Sequence, residues 1–82
     1  MNERRGNIIG ERVRQARLNA KRPITQDQLA ARLQVEGYDY FDQAKISRIE
    51  NGERPVQDYE LSAISRALGV TAGWLLGEDN SE

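Results

Sequence analysis

The chain has 82 residues, of which 38% are hydrophobic, a net charge of −1, and neither cysteine nor histidine. This length predicts one small domain, and the missing residue types exclude disulfides, thiolate metal sites and cysteine or histidine catalysis. No apolar run predicts a membrane span or a signal peptide, so we expect a cytoplasmic protein. We expect neither an enzyme nor a bound metal or cofactor, because no phosphate-binding loop or convergent carboxylate pair is evident either.

Charge is distributed unevenly along the chain. Residues 1–35 carry a net charge of +5, residues 36–55 carry −2 and residues 56–82 carry −4. A basic first half favours a polyanionic partner, with the acidic end facing away from it. The alternative interpretation is a solvated asymmetry without a partner, and charge by itself leaves both open.

Two helices are predicted in the first half of the chain. Apolar spacing indicates one over residues 7–20, with its arginines outside the apolar face. A second begins at Thr25, which forms a capping box with Gln28, and runs to residue 35 or 36. The inner faces of the two helices would consist of Ile9, Val13, Ala16, Ala20, Leu29, Ala30 and Leu33.

A third helix is predicted between Asp42, its N-cap, and Gly52, the glycine that ends it. Ile46 and Ile49 lie three residues apart on one face, and we expect them to be buried. The roughly opposite face presents small and hydrogen-bonding side chains, and our hypothesis is that it enters the major groove of DNA. These outward residues are Ala44, Ser47, Arg48 and Asn51.

Helices over residues 58–68 and 72–76 complete the predicted fold. Four hydrophobic pairs flank predicted helix starts at the same offset, as in a hydrophobic staple, and this fixes the helix registers. The domain would span residues 7–77, with flexible ends at residues 1–6 and 78–82. The predicted core consists of Val13, Leu29, Leu33, Ile46, Ile49, Leu61, Ile64, Leu68, Trp74 and Leu75.

Several strings of the sequence closely resemble the lambda-repressor/Cro-like helix-turn-helix family. They are TQxxLAxxL at residues 25–33, ISRIENG at residues 46–52, and LGV followed by WLL within residues 68–76. The resemblance covers residues 9–77 and implies an all-α, compact domain of five helices. It also implies a transcription regulator of bacteria or their phages that binds operator DNA, commonly as a dimer.

This sequence departs from the family pattern in the connection between the second and third helices. Gln34 stands where the family has the glycine of its tight turn, and the spacing to the third helix is longer. We therefore expect a lengthened connection, with residues 37–41 as a loop. Its Tyr38 and Tyr40 could cover the core, contact the sugar-phosphate backbone or join a subunit interface, in that order of preference.

The start and middle of the third helix are expected to read bases. In the family that this chain resembles, the positions of Gln43 and Ala44 face base edges, and that of Arg48 contacts a base. Glutamine can pair bidentately with adenine and arginine with guanine, while a small apolar side chain can touch a thymine methyl group. The predicted base-contacting residues are Gln43, Ala44, Ser47 and Arg48, and the alternative is a solvated helix face.

A second group of residues is expected to contact phosphate. Gln26 stands at the start of the second helix, where free N–H groups and the helix dipole favour an anion. Lys45 lies to the side of the exposed face, and Asn51 and Arg54 match the family's backbone-contacting region. Glu50 could pair with Arg54 or cap a neighbouring helix. The predicted phosphate-contacting residues are Gln26, Lys45, Asn51, Arg54, Arg12 and Arg17, although few first-helix arginines can face the DNA together.

The sequence therefore predicts a sequence-specific transcription regulator, a repressor, that binds double-stranded operator DNA. A homodimer on an inverted repeat would add specificity, with Leu76 and the tyrosine connection as candidate interface regions. One alternative is an antitoxin-type regulator that also holds a basic partner protein through its acidic tail and tyrosine loop. Another is a restriction–modification controller.

Overall fold

The structure is a computed structural model that describes residues 6–78. These residues form five helices and no strand, which confirms the predicted all-α fold. Most of the two ends predicted to be flexible lies outside the described residues, but Gly6 and Glu78 each donate a backbone hydrogen bond to the body of the protein. The helices are α1 (Gly10–Asn19), α2 (Gln26–Val35), α3 (Gln43–Glu50), α4 (Asp58–Leu68) and α5 (Ala72–Leu75).

Local capping sets the limits of α2 and α3. Thr25 Oγ1 accepts the Gln28 N–H at 3.0 Å, and Gln28 Oε1 accepts the Thr25 N–H at 2.8 Å, so the predicted capping box forms. Asp42 caps α3 by accepting the Lys45 N–H at 2.9 Å. Gly52 follows α3 with φ of 78°, a left-handed conformation that favours glycine. The helix predicted to read DNA therefore begins and ends where its capping residues place it.

One apolar core lies between the helices. α3 packs against both α1 and α2, while α4 packs against α1, α2 and α5. Three of the predicted core residues, Leu61, Leu68 and Trp74, are only partly buried and pack against the margin of the core. Ala20 was predicted to be on the inner face of α1, but it is exposed because the helix ends at Asn19. The largest fully buried side chains are Phe41, Leu29, Leu33, Ile46, Ile49, Ile64, Leu75 and Val13.

Residues 36–42 connect α2 to α3, so the connection is long, as predicted. Phe41 is buried in the core, and its carbonyl oxygen accepts a hydrogen bond from Gln34 Nε2 at 2.7 Å. Gln34 stands where the related family has the glycine of a tight turn, and its side chain holds the longer connection to the end of α2.

The tyrosines of this connection dock it on α4. Tyr38 is half-buried at the margin of the core and stacks on Tyr59, with ring centroids 6.2 Å apart. The Tyr40 hydroxyl donates to Glu60 Oε2 at 2.6 Å. Covering the core, the first of the three roles considered for these residues, agrees with this arrangement. None of the described helices is long and apolar enough to cross a bilayer.

Candidate nucleic-acid interface

The residues predicted to read DNA lie on the outer face of α3. Ile46 and Ile49 are fully buried on its inner face, so the opposite face is turned to solvent. Lys45 and Ser47, beside that outer face, are half-buried. The exposed residues of the outer face and of the helix end are Gln43, Ala44, Arg48 and Asn51.

A shallow groove of about 310 Å³ follows this face. Its walls are formed by Ala44, Lys45, Arg48 and Arg54. Three cationic side chains therefore surround one small residue, an arrangement that attracts phosphate and lets a large ligand approach the helix closely. Two of these cations have acidic partners, since Lys45 Nζ lies 3.9 Å from Asp42 Oδ2 and Arg54 pairs with Glu60, so the positive charge of the groove is partly balanced.

A chain of side-chain hydrogen bonds connects the start of α3 to the interior. Gln43 Nε2 donates to Gln26 Oε1 at 2.7 Å, and Gln26 Nε2 donates to Glu50 Oε1 at 3.0 Å. Arg17 in turn donates to both carboxylate oxygens of Glu50, at 2.7 and 3.0 Å. These four residues, which we name the glutamine relay, join α1, α2 and both ends of α3.

The carboxylate of Glu50 determines the direction of every hydrogen bond in the glutamine relay. A carboxylate only accepts, so Gln26 must turn its amide nitrogen to Glu50 and its amide oxygen to Gln43. Gln43 must then donate to Gln26, which leaves its own oxygen and one N–H for an outside partner. One acceptor and one donor on the same amide are what a bidentate contact with adenine requires.

Arg17 serves this interior network and is withdrawn from the predicted phosphate contacts. The Arg17 and Glu50 side chains are only 10% and 4% exposed, and Arg17 Nη1 also donates to the Ile24 carbonyl at 3.0 Å. The hydrogen bond to Glu50 raises the pKa of Arg17 despite its burial, so the charge is retained. The sequence contained the signal, because Arg17 follows Val13 by four residues and so shares its inner face.

Arg12 also lies away from the outer face of α3. Its Nη1 donates to the Trp74 carbonyl at 3.1 Å, and its guanidinium carbon is 4.6 Å from the centroid of the Trp74 ring. These contacts place Arg12 against α5. The structure therefore does not bring it together with the other predicted phosphate contacts, and we withdraw it from that set.

Arg54 connects the groove of α3 to α4. Its guanidinium donates to both carboxylate oxygens of Glu60, at 3.0 and 3.2 Å, and lies 5.0 Å from the centroid of the Phe41 ring. The pairing considered for Glu50 and Arg54 is wrong, because each residue has a different partner. Arg54 remains at the groove, but much of its charge is balanced by Glu60.

Glu60 is almost completely buried and stays ionised. Burial acts to raise the pKa of this carboxyl, but hydrogen bonds from Arg54, Tyr40 and the Gln57 N–H lower it overall. The same contact raises the pKa of the Tyr40 hydroxyl to about 12. Glu60 therefore holds the α2–α3 connection and the α3–α4 turn to the start of α4.

The direct packing of α2 and α3, with a buried inner face and a polar outer face on the second helix, defines a helix-turn-helix arrangement. Residues 8–75 match the family model described as a helix-turn-helix domain. The chain therefore belongs to this family of DNA-binding domains. No curated protein and no solved structure matches the chain significantly.

Proposed function

We propose that this domain is a sequence-specific transcription regulator of the lambda-repressor/Cro-like kind, and that it represses transcription in the cytoplasm by occupying operator DNA. The observation that carries the proposal is the glutamine relay. It presents Gln43 from the start of α3 with a donor and an acceptor outward, supported by the buried Arg17–Glu50 ion pair. A side chain fixed in this way loses little conformational freedom when it binds a base.

The outer face of α3 lies in the major groove in this proposal. Gln43 pairs with adenine, and Arg48, five residues or about 1.4 turns further along the helix, pairs with guanine. Ala44 leaves room for the edge of a base pair and touches a thymine methyl group, while Ser47 offers a hydroxyl to either kind of base. Each bidentate pair contributes about 1–3 kcal/mol of discrimination against a wrong base.

Phosphate contacts flank this reading surface. Lys45 and Asn51 stand at the two ends of α3, and Gln26 keeps one side-chain N–H beside the N-terminus of α2. Arg54 contributes mainly position, because Glu60 balances its charge. Such contacts fix the register of the protein on the duplex and make its affinity dependent on salt.

A single domain of this size contacts few base pairs, so a homodimer on an inverted repeat is the proposed binding form. Two copies on one face of the duplex would place their reading helices about 34 Å apart. This spacing is a direct geometric prediction for the operator.

Selection of bound duplexes from a random library, followed by a salt titration of the enriched sequence, tests the proposal. We expect an enriched motif with two inverted half-sites and a logarithmic salt slope of about −0.9 for each phosphate contact. An Arg14→Ala variant, altered at an exposed position of α1, is the matched control and should enrich the same motif. If no sequence is enriched at any salt concentration, direct reading of DNA sequence by this chain is rejected.

A further inference from the structure

The segment that precedes α1 is fastened to the C-terminal end of α3. The Gly6 N–H donates to the Gly52 carbonyl at 2.8 Å. Asn7 Nδ2 donates to the Ile49 carbonyl at 3.1 Å and to the Arg54 carbonyl at 2.8 Å. Three hydrogen bonds thus reach the end of α3 and the turn after it from residues more than 40 positions earlier in the chain.

The carboxamide of Asn7 also organises the start of α1. Asn7 Oδ1 accepts the Ile9 N–H and the Gly10 N–H, each at 2.9 Å, in an Asx-turn that leads into α1, whose N-cap residue is Ile9. A carboxamide has two N–H donors and an oxygen with two lone pairs, and all four are used here. Aspartate has no amide donor, and serine lacks the second arm of the amide. Asparagine is therefore specifically suited to tie the two helix ends together.

Close packing at Gly10 brings the two helices into register. A Cβ atom on Gly10 would lie 2.3 Å from the Ile49 carbonyl oxygen and 2.7 Å from that of Glu50. The absence of a side chain therefore lets the start of α1 rest directly on the last turn of α3. Asn7 and Gly10 thus both contact the C-terminal end of α3, Asn7 by hydrogen bonds and Gly10 by close backbone packing.

We propose that Asn7 is a positioning residue for DNA reading, which holds the C-terminal half of α3 and the α3–α4 turn against α1. This inference rests on the proposed function. The glutamine relay connects to both ends of α3 through Gln43 and Glu50, whereas Asn7 holds the backbone of its C-terminal end and of the turn that follows. Arg48 and Arg54, which line the groove toward that end, depend on Asn7 for their position.

Replacement of Asn7 by serine separates the two roles of its carboxamide. Serine retains an oxygen that can accept the N–H groups of the turn before α1, and it keeps the charge unchanged, but its single O–H donor cannot reach both carbonyl groups of the α3 end. Asn19→Ser is the matched control, because Asn19 is exposed at the other end of the same helix. Both variants should be compared with the wild type at a temperature where all three are folded, as judged by circular dichroism.

We expect Asn7→Ser to weaken binding to the library-selected duplex about tenfold, since two hydrogen bonds that hold the reading helix are lost. Preference should relax at the base pair whose recognition depends on Arg48 and persist at the one that depends on Gln43. Asn19→Ser should bind within about twofold of the wild type. A uniform loss with unchanged base preferences would show a structural role alone, and an affinity within twofold of the wild type would also overturn the proposal.

An amide proton–nitrogen spectrum without DNA keeps this test independent of the proposed function. Asn7→Ser should shift the amide resonances around residues 49–54 and leave those of Gln26 and Gln43 in place. If the wild type binds no duplex, the proposed function fails, whereas unmoved resonances at residues 49–54 would show that Asn7 does not hold this end of α3.

Discussion

Two arginine–glutamate ion pairs lie on either side of α3, and they have different structural roles. On one side Arg17 pairs with Glu50, and on the other Arg54 pairs with Glu60. Both carboxylates are nearly inaccessible, with side chains 4% and 3% exposed. Glu50 accepts a hydrogen bond from Gln26, which in turn orients Gln43 at the surface. Glu60 accepts hydrogen bonds from Tyr40 and Arg54 and so holds two connecting segments against α4.

The difference lies in the donors that complete each carboxylate. Besides Arg17, Glu50 accepts a hydrogen bond from the side-chain amide of Gln26. Because that amide donates to Glu50, its oxygen is left to accept from Gln43, so the orientation of one amide fixes that of the next. Besides Arg54, Glu60 accepts hydrogen bonds from the Tyr40 hydroxyl and the Gln57 N–H, and these donors do not extend the network to a surface side chain of α3. One buried ion pair thus orients Gln43, the residue proposed to read a base, and the other holds the long α2–α3 connection against α4.

Breaking the first pair should have the largest effect. We expect Arg17→Ala to reduce the free energy of unfolding by about 3–5 kcal/mol, because Glu50 would be left buried without its cation. Urea unfolding of the purified variant measures this loss. Arg14→Ala, at an exposed position of the same helix, should stay within about 0.5 kcal/mol of the wild type. Equal effects of the two substitutions would contradict the assigned role of Arg17.

Breaking the second pair should be less costly. Arg54→Ala should reduce the free energy of unfolding by about 1–3 kcal/mol, because Glu60 keeps two donors, Tyr40 and Gln57, where Glu50 keeps one, and because Arg54 is the more exposed arginine, at 21% against 10%. The same urea experiment measures it. A loss larger than that of Arg17→Ala would reverse the ranking of the two pairs.

Removing the link between Glu50 and Gln43 should affect specificity more than stability. Gln26→Ala should lower discrimination at the base pair read by Gln43 by about 1 kcal/mol, since the amide is then free to turn. Binding of duplexes that differ at single base pairs measures the change. Retention of full discrimination at that base pair would show that the glutamine relay does not orient Gln43.

The smallest effect, and one with a distinct pH dependence, concerns Tyr40. Tyr40→Phe should lower the free energy of unfolding by about 1 kcal/mol through loss of its hydrogen bond to Glu60. The pKa of Tyr40 is raised to about 12 from 10.0, so its contribution is complete below pH 10 and is lost as the pH rises through about 12. The difference in the free energy of unfolding between the wild type and Tyr40→Phe, measured by urea unfolding, should therefore be smaller at pH 11 than at pH 9. A constant difference would disprove this coupling.

The lower pKa of Glu60 acts at the opposite end of the pH range. Its contribution is present above the ordinary value of 4.5 and is lost as the pH falls through the lower value in the folded protein. The hydrogen bond between Tyr40 and Glu60 therefore contributes fully to stability from about pH 4.5 to pH 10.

The limits of α2, α3 and α4 could be predicted because caps depend on neighbouring residues, whereas α1 begins at Gly10, three residues later than predicted. Thr25 with Gln28 and Asp42 with Lys45 act within four residues, and α4 occupies the predicted positions. Likewise, Ile46 and Ile49 indicated the buried face of α3, and the outer face followed from them.

The partners of the charged residues could not be predicted in the same way. Arg17 and Glu50 are 33 residues apart, and the hydrogen bonds of Asn7 reach across 42 and 47 positions. Only the packing of α1 on α3 brings them together, and no local pattern encodes it. The contact of Arg12 with Trp74 could not be predicted for the same reason, because it depends on where α5 lies.

The outer face of α3 is proposed to read base sequence, and Arg48 offers the most direct test. The dissociation constants of the wild type and Arg48→Ala should be measured on the selected duplex and on every single-base-pair variant of one half-site. We predict that the substitution abolishes about 1–3 kcal/mol of discrimination at one base pair and leaves the preferences elsewhere intact. Uniform weakening of all duplexes, with no position losing its preference, would show that Arg48 does not read a base.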